Sequence, residues 1–104
     1  MEKTEFFTKG NVVEIDELGR IKVPKEIRQI LDIRAKDKFE VTEEQNIIIL
    51  KKVTEEIDKT FNTRVIDELY RIVIPTTLRT KLNYKCGDKG KIEIIDGTIT
   101  IKKV

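Results

Sequence analysis

The sequence predicts a mainly β fold with short helices, one compact domain over residues 1–104 built from two ββαββ repeats. The repeat itself carries that expectation. Ile15-Asp16-Glu17-Leu18-Gly19-Arg20-Ile21-Lys22-Val23-Pro24 returns 51 positions later as Ile66-Asp67-Glu68-Leu69-Tyr70-Arg71-Ile72-Val73-Ile74-Pro75. With that offset and no gap, Arg28 meets Arg79, Leu31 meets Leu82, Asp37-Lys38 meets Asp88-Lys89, and Lys51-Lys52-Val53 meets Lys102-Lys103-Val104. Two copies at a period of about fifty do not make a solenoid. A unit of roughly forty residues barely buries a core alone, so the copies are expected to share one. Residues 11–53 form the first unit, 54–61 a linker and 62–104 the second.

Each element has a local reason. Residues 11–15 alternate, with Val13 and Ile15 turned one way and Val12 and Glu14 the other, which predicts a strand. Asp16 to Gly19 is a turn, and Arg20 to Val23 returns as a second strand, Ile21 and Val23 inward, completing a hairpin. Tyr70 replaces Gly19 in the second copy. A left-handed tyrosine costs ~1 kcal/mol, so a differently shaped second turn is expected. Pro24 suits the first turn of a short helix ending near Asp32, with Ile27, Ile30 and Leu31 on its buried face and Arg28 wet. Its twin runs from Pro75 to Leu82, with Leu78 and Leu82 inward. A third strand follows, in which Phe39 and Val41 alternate with Glu40 and Thr42. A turn at 43–46 then leads into Ile47-Ile48-Ile49-Leu50. Asp96-Gly97 marks the same turn in the second copy more plainly. Its return strand, Thr98-Ile99-Thr100-Ile101, fixes the phase: Ile48 and Leu50 inward, Ile47 and Ile49 outward. Those outward isoleucines predict a cover, either Phe6 and Phe7 or another chain.

Composition narrows the function. Charged and apolar residues each make up 38% of the chain, and no run approaches the ~20 apolar residues that span a bilayer. The first ten residues have no signal-peptide pattern, so a cytoplasmic protein is expected. Cys86 is the only cysteine, which excludes an internal disulfide, and Ala35 at the matching position suggests a small packing residue. With no histidine, no glycine-rich phosphate loop and no Cys/His set, neither an enzyme, a metal site nor a cofactor is expected. Residues 11–53 carry nine Lys/Arg and nine Asp/Glu, whereas 62–104 carry nine against five. The second copy is therefore the basic one, a cue for a polyanion-facing side.

These residues resemble the AbrB/SpoVT-type swapped-hairpin DNA-binding domain. Asp16-Glu17-Leu18-Gly19-Arg20, Pro24, Arg28, Leu31, Asp37 and Ile48-Ile49-Leu50-Lys51-Lys52 carry the resemblance in the first copy. Asp67-Glu68-Leu69, Arg71-Ile72, Pro75, Leu78-Arg79 and Asp88 carry it in the second. In the family two chains interleave their hairpins into one barrel, which here implies an intramolecular pseudo-dimer. The resemblance further implies a double-stranded DNA partner met by Arg20 and Arg28 of the first copy and by Arg64, Arg71 and Arg79 of the second. The structural alternative is that Arg20 and Arg71 are held by Asp16 and Asp67, and that the helix arginines are solvated charge. The chain departs from the family at Val13 and Glu14, where basic residues are common, and at Gln29 and Thr80 in the helix.

The leading expectation is a transcription regulator binding double-stranded DNA. An antitoxin-like protein-binding module of the same fold is the alternative, although the sequence ends directly after the last strand, without the tail that such proteins wrap around a toxin. A third reading is an oligomerisation module that self-associates through Ile47 and Ile49. No membrane or small-molecule partner is expected.

Overall fold

The computed structural model describes residues 11–54 and 62–104. The first unit contains β1 (Val12–Glu14), β2 (Arg20–Lys22), α1 (Lys25–Leu31), β3 (Lys38–Glu44) and β4 (Ile47–Lys52). The second contains β5 (Thr63–Val65), β6 (Arg71–Val73), α2 (Thr76–Leu82), β7 (Lys89–Ile95) and β8 (Thr98–Lys103). The element order thus repeats, and the expected ββαββ reading holds in each half.

The strands do not pair within their own halves at the amino end. A six-stranded antiparallel sheet runs β1-β7-β8-β4-β3-β5, and β2 pairs with β6 as a separate two-stranded ribbon. The hairpin expected from β1 and β2 therefore forms no ladder of its own beyond the turn bonds. Asp16 N–H donates to the Arg20 carbonyl at 3.0 Å, while β1 joins β7 and β2 joins β6. The reciprocal strand β5 joins β3. Hairpin exchange follows from the size of the unit: β1 and β2 are three residues each, too short to shelter Val13, Ile15 and Ile21 without a partner unit.

The register reveals a pseudo-twofold axis. Ile21 pairs with Ile72 in the ribbon, and Ile49 with Thr100 at the centre of the large sheet. Each of these pairs joins positions separated by the repeat offset itself, so the axis passes through both. Around it lies one apolar core drawn from both units, including Val13, Ile21, Ile27, Phe39, Ile48, Ile66, Ile72, Ile92 and Ile101, with no buried polar or charged residue among those described.

Turns and caps follow the local chemistry. Gln45-Asn46 and Asp96-Gly97 take positive φ at both positions, as two-residue hairpins of the I′ type need, so the first turn is tighter than the expected 43–46 span. The helices end at Asp32 and Asn83, both left-handed, each followed by an N–H that caps the preceding turn.

Several expectations fail for physical reasons. Ile30 is exposed, because a seven-residue helix offers the core a narrow stripe that Ile27 fills, with Leu31 packed half-buried beside it; its counterpart Lys81 is likewise exposed and reaches Glu43 at 2.5 Å. Cys86 is exposed and is no packing residue. Ile47 and Ile49 face outward as their phase requires, yet both are half-buried by neighbouring strands. The proposed cover by Phe6 and Phe7 lies outside the described residues, as do most of the linker residues.

The halves also exchange volume. Phe39 and Ile33 are buried in the first unit; at the equivalent places stand Gly90 and Tyr84, both buried. A Cβ on Gly90 would lie 2.5 Å from Ile101 Cγ2 and 3.4 Å from the Tyr84 hydroxyl. Tyr84 therefore occupies room that a phenylalanine claims in the other half.

Candidate functional site

The ribbon gathers four of the five arginines singled out by sequence. In its register Arg20 faces Val73 and Lys22 faces Arg71, while Ile21 and Ile72 point into the core. Alternation puts Arg20, Lys22, Arg71 and Val73 on the outer surface. The ladder is extended at both ends, by Ile74 N–H donating to the Gly19 carbonyl and Val23 N–H donating to the Tyr70 carbonyl, each at 2.9 Å.

Two identical turns support it. Asp16 Oδ1 accepts the Leu18 and Arg20 N–H groups at 2.9 and 2.8 Å, and its Oδ2 takes Arg20 Nε at 2.7 Å. Asp67 does the same for Leu69, Arg71 and the Arg71 guanidinium, the last at 2.9 Å. Desolvation opposes ionisation of both aspartates. The backbone and side-chain hydrogen bonds from the following arginine, together with the Leu18 or Leu69 N–H, outweigh it and hold both carboxyls below the ordinary value. The structural reading of Arg20 and Arg71 as partners of their turn aspartates is thus correct, and it positions them without hiding them. Their side chains remain 23% and 31% exposed, enough to meet a ligand.

The turn positions 19 and 70 share a left-handed backbone, φ 76° for Gly19 and 65° for Tyr70. The expected change of turn shape does not occur. The Tyr70 ring is instead stacked by Arg28, whose guanidinium carbon lies 3.9 Å from the ring centroid. That cation–π contact offsets part of the backbone cost. Arg28 is accordingly not the wet residue expected; its Nε is buried without a hydrogen-bond partner. At the other end Arg79 lies against Gly19, where a Cβ would come within 2.6 Å of its Nε. Arg79 Nε donates to the Ile74 carbonyl at 2.8 Å and Nη2 to Thr76 Oγ1 at 2.9 Å.

Arg64 is the exception. It sits on β5, opposite Phe39 at the edge of the large sheet and not on the ribbon, with Nη1 donating to the Thr63 carbonyl at 2.9 Å. Lys22 is the residue that sequence reasoning missed as a site member, although its outward alternation was the available signal. The charge excess of the second unit also sits elsewhere than expected. Lys89, Lys91, Lys102 and Lys103 belong to β7 and β8, so the ribbon is not supplied mainly by that unit. Acidic Glu17 and Glu68 are exposed on the two turns. Among the described residues no group of three His, Cys, Asp or Glu side chains could hold a metal ion, and no helix is long and apolar enough to cross a membrane.

Exchanged β strands closed by an arginine-bearing ribbon on a pseudo-twofold axis define a swapped-hairpin barrel. Over its first unit the chain is similar to the AbrB-like swapped-hairpin proteins. Residues 9–58 match the family described as antidote-toxin recognition MazE, bacterial antitoxin. The chain is 51% identical over 43 residues to Abh of Bacillus subtilis (strain 168), named a transition state regulator, covering 41% of this chain and 47% of Abh. It is 46% identical over 43 residues to the transition state regulatory protein AbrB of the same organism, covering 41% of this chain and 45% of AbrB. The chain spans about half the length of these curated relatives. No solved structure matches it.

Proposed function

We propose that the protein is a cytoplasmic regulator that binds double-stranded DNA through the β2–β6 ribbon, its two repeats acting as one domain in the roles of two subunits. The observation that carries this reading is the ribbon's outer face, where Arg20, Lys22 and Arg71 stand together between Arg28 and Arg79. A two-stranded ribbon fits the major groove, about 12 Å wide. Guanidinium groups pair there with guanine edges and with the flanking phosphates. Arg64 on the neighbouring edge strand serves as a phosphate contact. The relatives' names, transition state regulators, point the same way.

A salt-titrated mobility-shift assay on mixed duplex fragments tests it. Each phosphate contact removed lowers the slope of log K against log salt by about 0.9. A variant with Arg20, Lys22 and Arg71 all changed to alanine should retain the fold and lose binding. Unchanged binding by that variant would remove the ribbon from the interface.

The match of residues 9–58 to the MazE antitoxin family favours a second reading, a module that recognises a protein partner. Folded protein that binds no duplex at any salt concentration would promote it.

A further inference from the structure

The two ends of the ribbon are not equivalent. At one end stand Gly19, Arg20 and, across the ladder, Val73, with Arg79 beneath. At the other stand Tyr70, Arg71 and, across the ladder, Lys22, with Arg28 stacked on the ring. A dimer of identical chains must present the same side chains at both ends. Here one end offers three cations and an aromatic ring, and the other offers two cations and an apolar valine. The helix arginines differ in state as well as setting. Arg79 spends Nε and Nη2 on Ile74 and Thr76, whereas Arg28 is held by stacking and its Nε has no acceptor.

We propose that this chain binds a non-palindromic duplex in one fixed orientation, with the Tyr70 end of the ribbon as the dominant reader. The inference rests on the DNA-binding reading above and adds which half reads what. Lys22 beside Arg71 places two donors where guanine O6 and N7 accept, so the half-site under the Tyr70 end is guanine-bearing. Val73 beside Arg20 replaces one of those donors with methyl groups that suit the thymine C5-methyl, so the opposite half-site carries thymine at the matching step. Covalent linkage makes the divergence selectable, since a substitution in one half is not copied into the other.

The test uses the whole 104-residue chain. Ligands are first selected from a random duplex pool, and the enriched motif is read for symmetry. An iron-chelate cleavage reagent is then attached to Cys86, which is exposed and is the only cysteine. Cys86 lies off the axis, beside Gly87, whose N–H donates to the Ile15 carbonyl just before the turn at the Gly19 end. The expected result is an asymmetric motif, with strand cleavage on the thymine-side flank alone. Val73→Lys should raise affinity about tenfold for a site carrying guanine in both halves. A palindromic motif, or equal cleavage on both flanks, overturns the fixed orientation while leaving DNA binding intact. Folded, labelled protein that enriches no duplex overturns the underlying DNA-binding reading, and the orientation falls with it.

Discussion

Gly90 offers a sharp test of how the two halves divide their shared core. A Cβ at that position meets Ile101 Cγ2 at 2.5 Å, well inside contact distance, and Ile101 is 1% exposed with no free side on which to retreat. Overpacking of this kind costs ~1–3 kcal/mol. For a domain of this size that lowers Tm by roughly 4–8 °C per kcal/mol. Gly90→Ala should therefore shift the denaturation midpoint clearly downward. The pseudo-symmetry supplies the repair. The counterpart of Ile101 is Leu50, and beside Leu50 the chain accommodates Phe39. Leucine has no methyl branch on Cβ, so Ile101→Leu removes the atom that clashes.

The double variant Gly90→Ala with Ile101→Leu should then recover most of the loss, a positive coupling of about 1 kcal/mol or more in a double-mutant cycle. Urea titrations monitored by circular dichroism would measure all four corners. Additive losses, with no coupling, would refute the steric account of Gly90. So would a Gly90→Ala single variant within ~0.5 kcal/mol of the parent.

Four further outcomes are expected. Tyr70→Ala should be less stable than Tyr70→Gly by about 1 kcal/mol, since both lose the Arg28 stack but only alanine keeps the left-handed strain; thermal melts that rank alanine above glycine would contradict it. Asp16, Asp67, Asp88 and Glu43 all have carboxyls held below their ordinary values, so their contribution is present at neutral pH and lost as pH falls through the lowered values. Tyr84 works in the opposite sense: burial and nearby Asp88 raise its phenol, so stability falls as pH rises above about 10, and Tyr84→Phe should flatten that alkaline limb of a stability–pH profile. Ile49→Lys places a charge on the pseudo-twofold axis of the outer sheet face and should abolish any self-association seen by sedimentation, and an unchanged sedimentation coefficient in associating protein would exclude that face.

Much of the fold was legible because the chain states its pattern twice. The phase of Ile48 and Leu50 came from Thr98 and Thr100, and the structure places all four as expected. Asp96-Gly97 announced its turn, and Gln45-Asn46 follows the same geometry without a glycine. Strand exchange was a different matter. Alternation in residues 12–23 says which side chains point inward but not whose strand lies alongside, and only the resemblance carried that step. The setting of Arg28 is not legible in sequence, because helical periodicity makes it solvent-facing within its own unit, while the surface that stacks on it comes from Tyr70 of the other. Lys22 is hidden for the same reason: its neighbour Arg71 is 49 positions away, and no local pattern joins them. The net charge of each unit misled because summing over sequence ignores which sheet a lysine belongs to.

The turn aspartates allow the DNA-binding reading to be tested by the sign of an effect. Asp16 and Asp67 place negative charge beside Arg20 and Arg71, on the face proposed to meet a polyanion. If their role there were only electrostatic, neutralising them would strengthen binding. Each carboxylate, however, fixes its arginine through Nε, and among the described residues no acceptor takes the Nη groups of either arginine. The side chains are thus held in place with their terminal donors available, and ordering them on contact costs less than it would for a mobile arginine. Asp67→Asn keeps the Oδ1 acceptor for the Leu69 and Arg71 N–H groups but puts an amide nitrogen where Oδ2 received Nε. The turn should survive and the arginine should be released. Binding to a selected duplex should weaken by about three- to tenfold, although the substitution removes a negative charge. Tighter binding by a folded Asp67→Asn protein would show that the aspartate acts as repelling charge and that its hold on Arg71 contributes nothing to recognition.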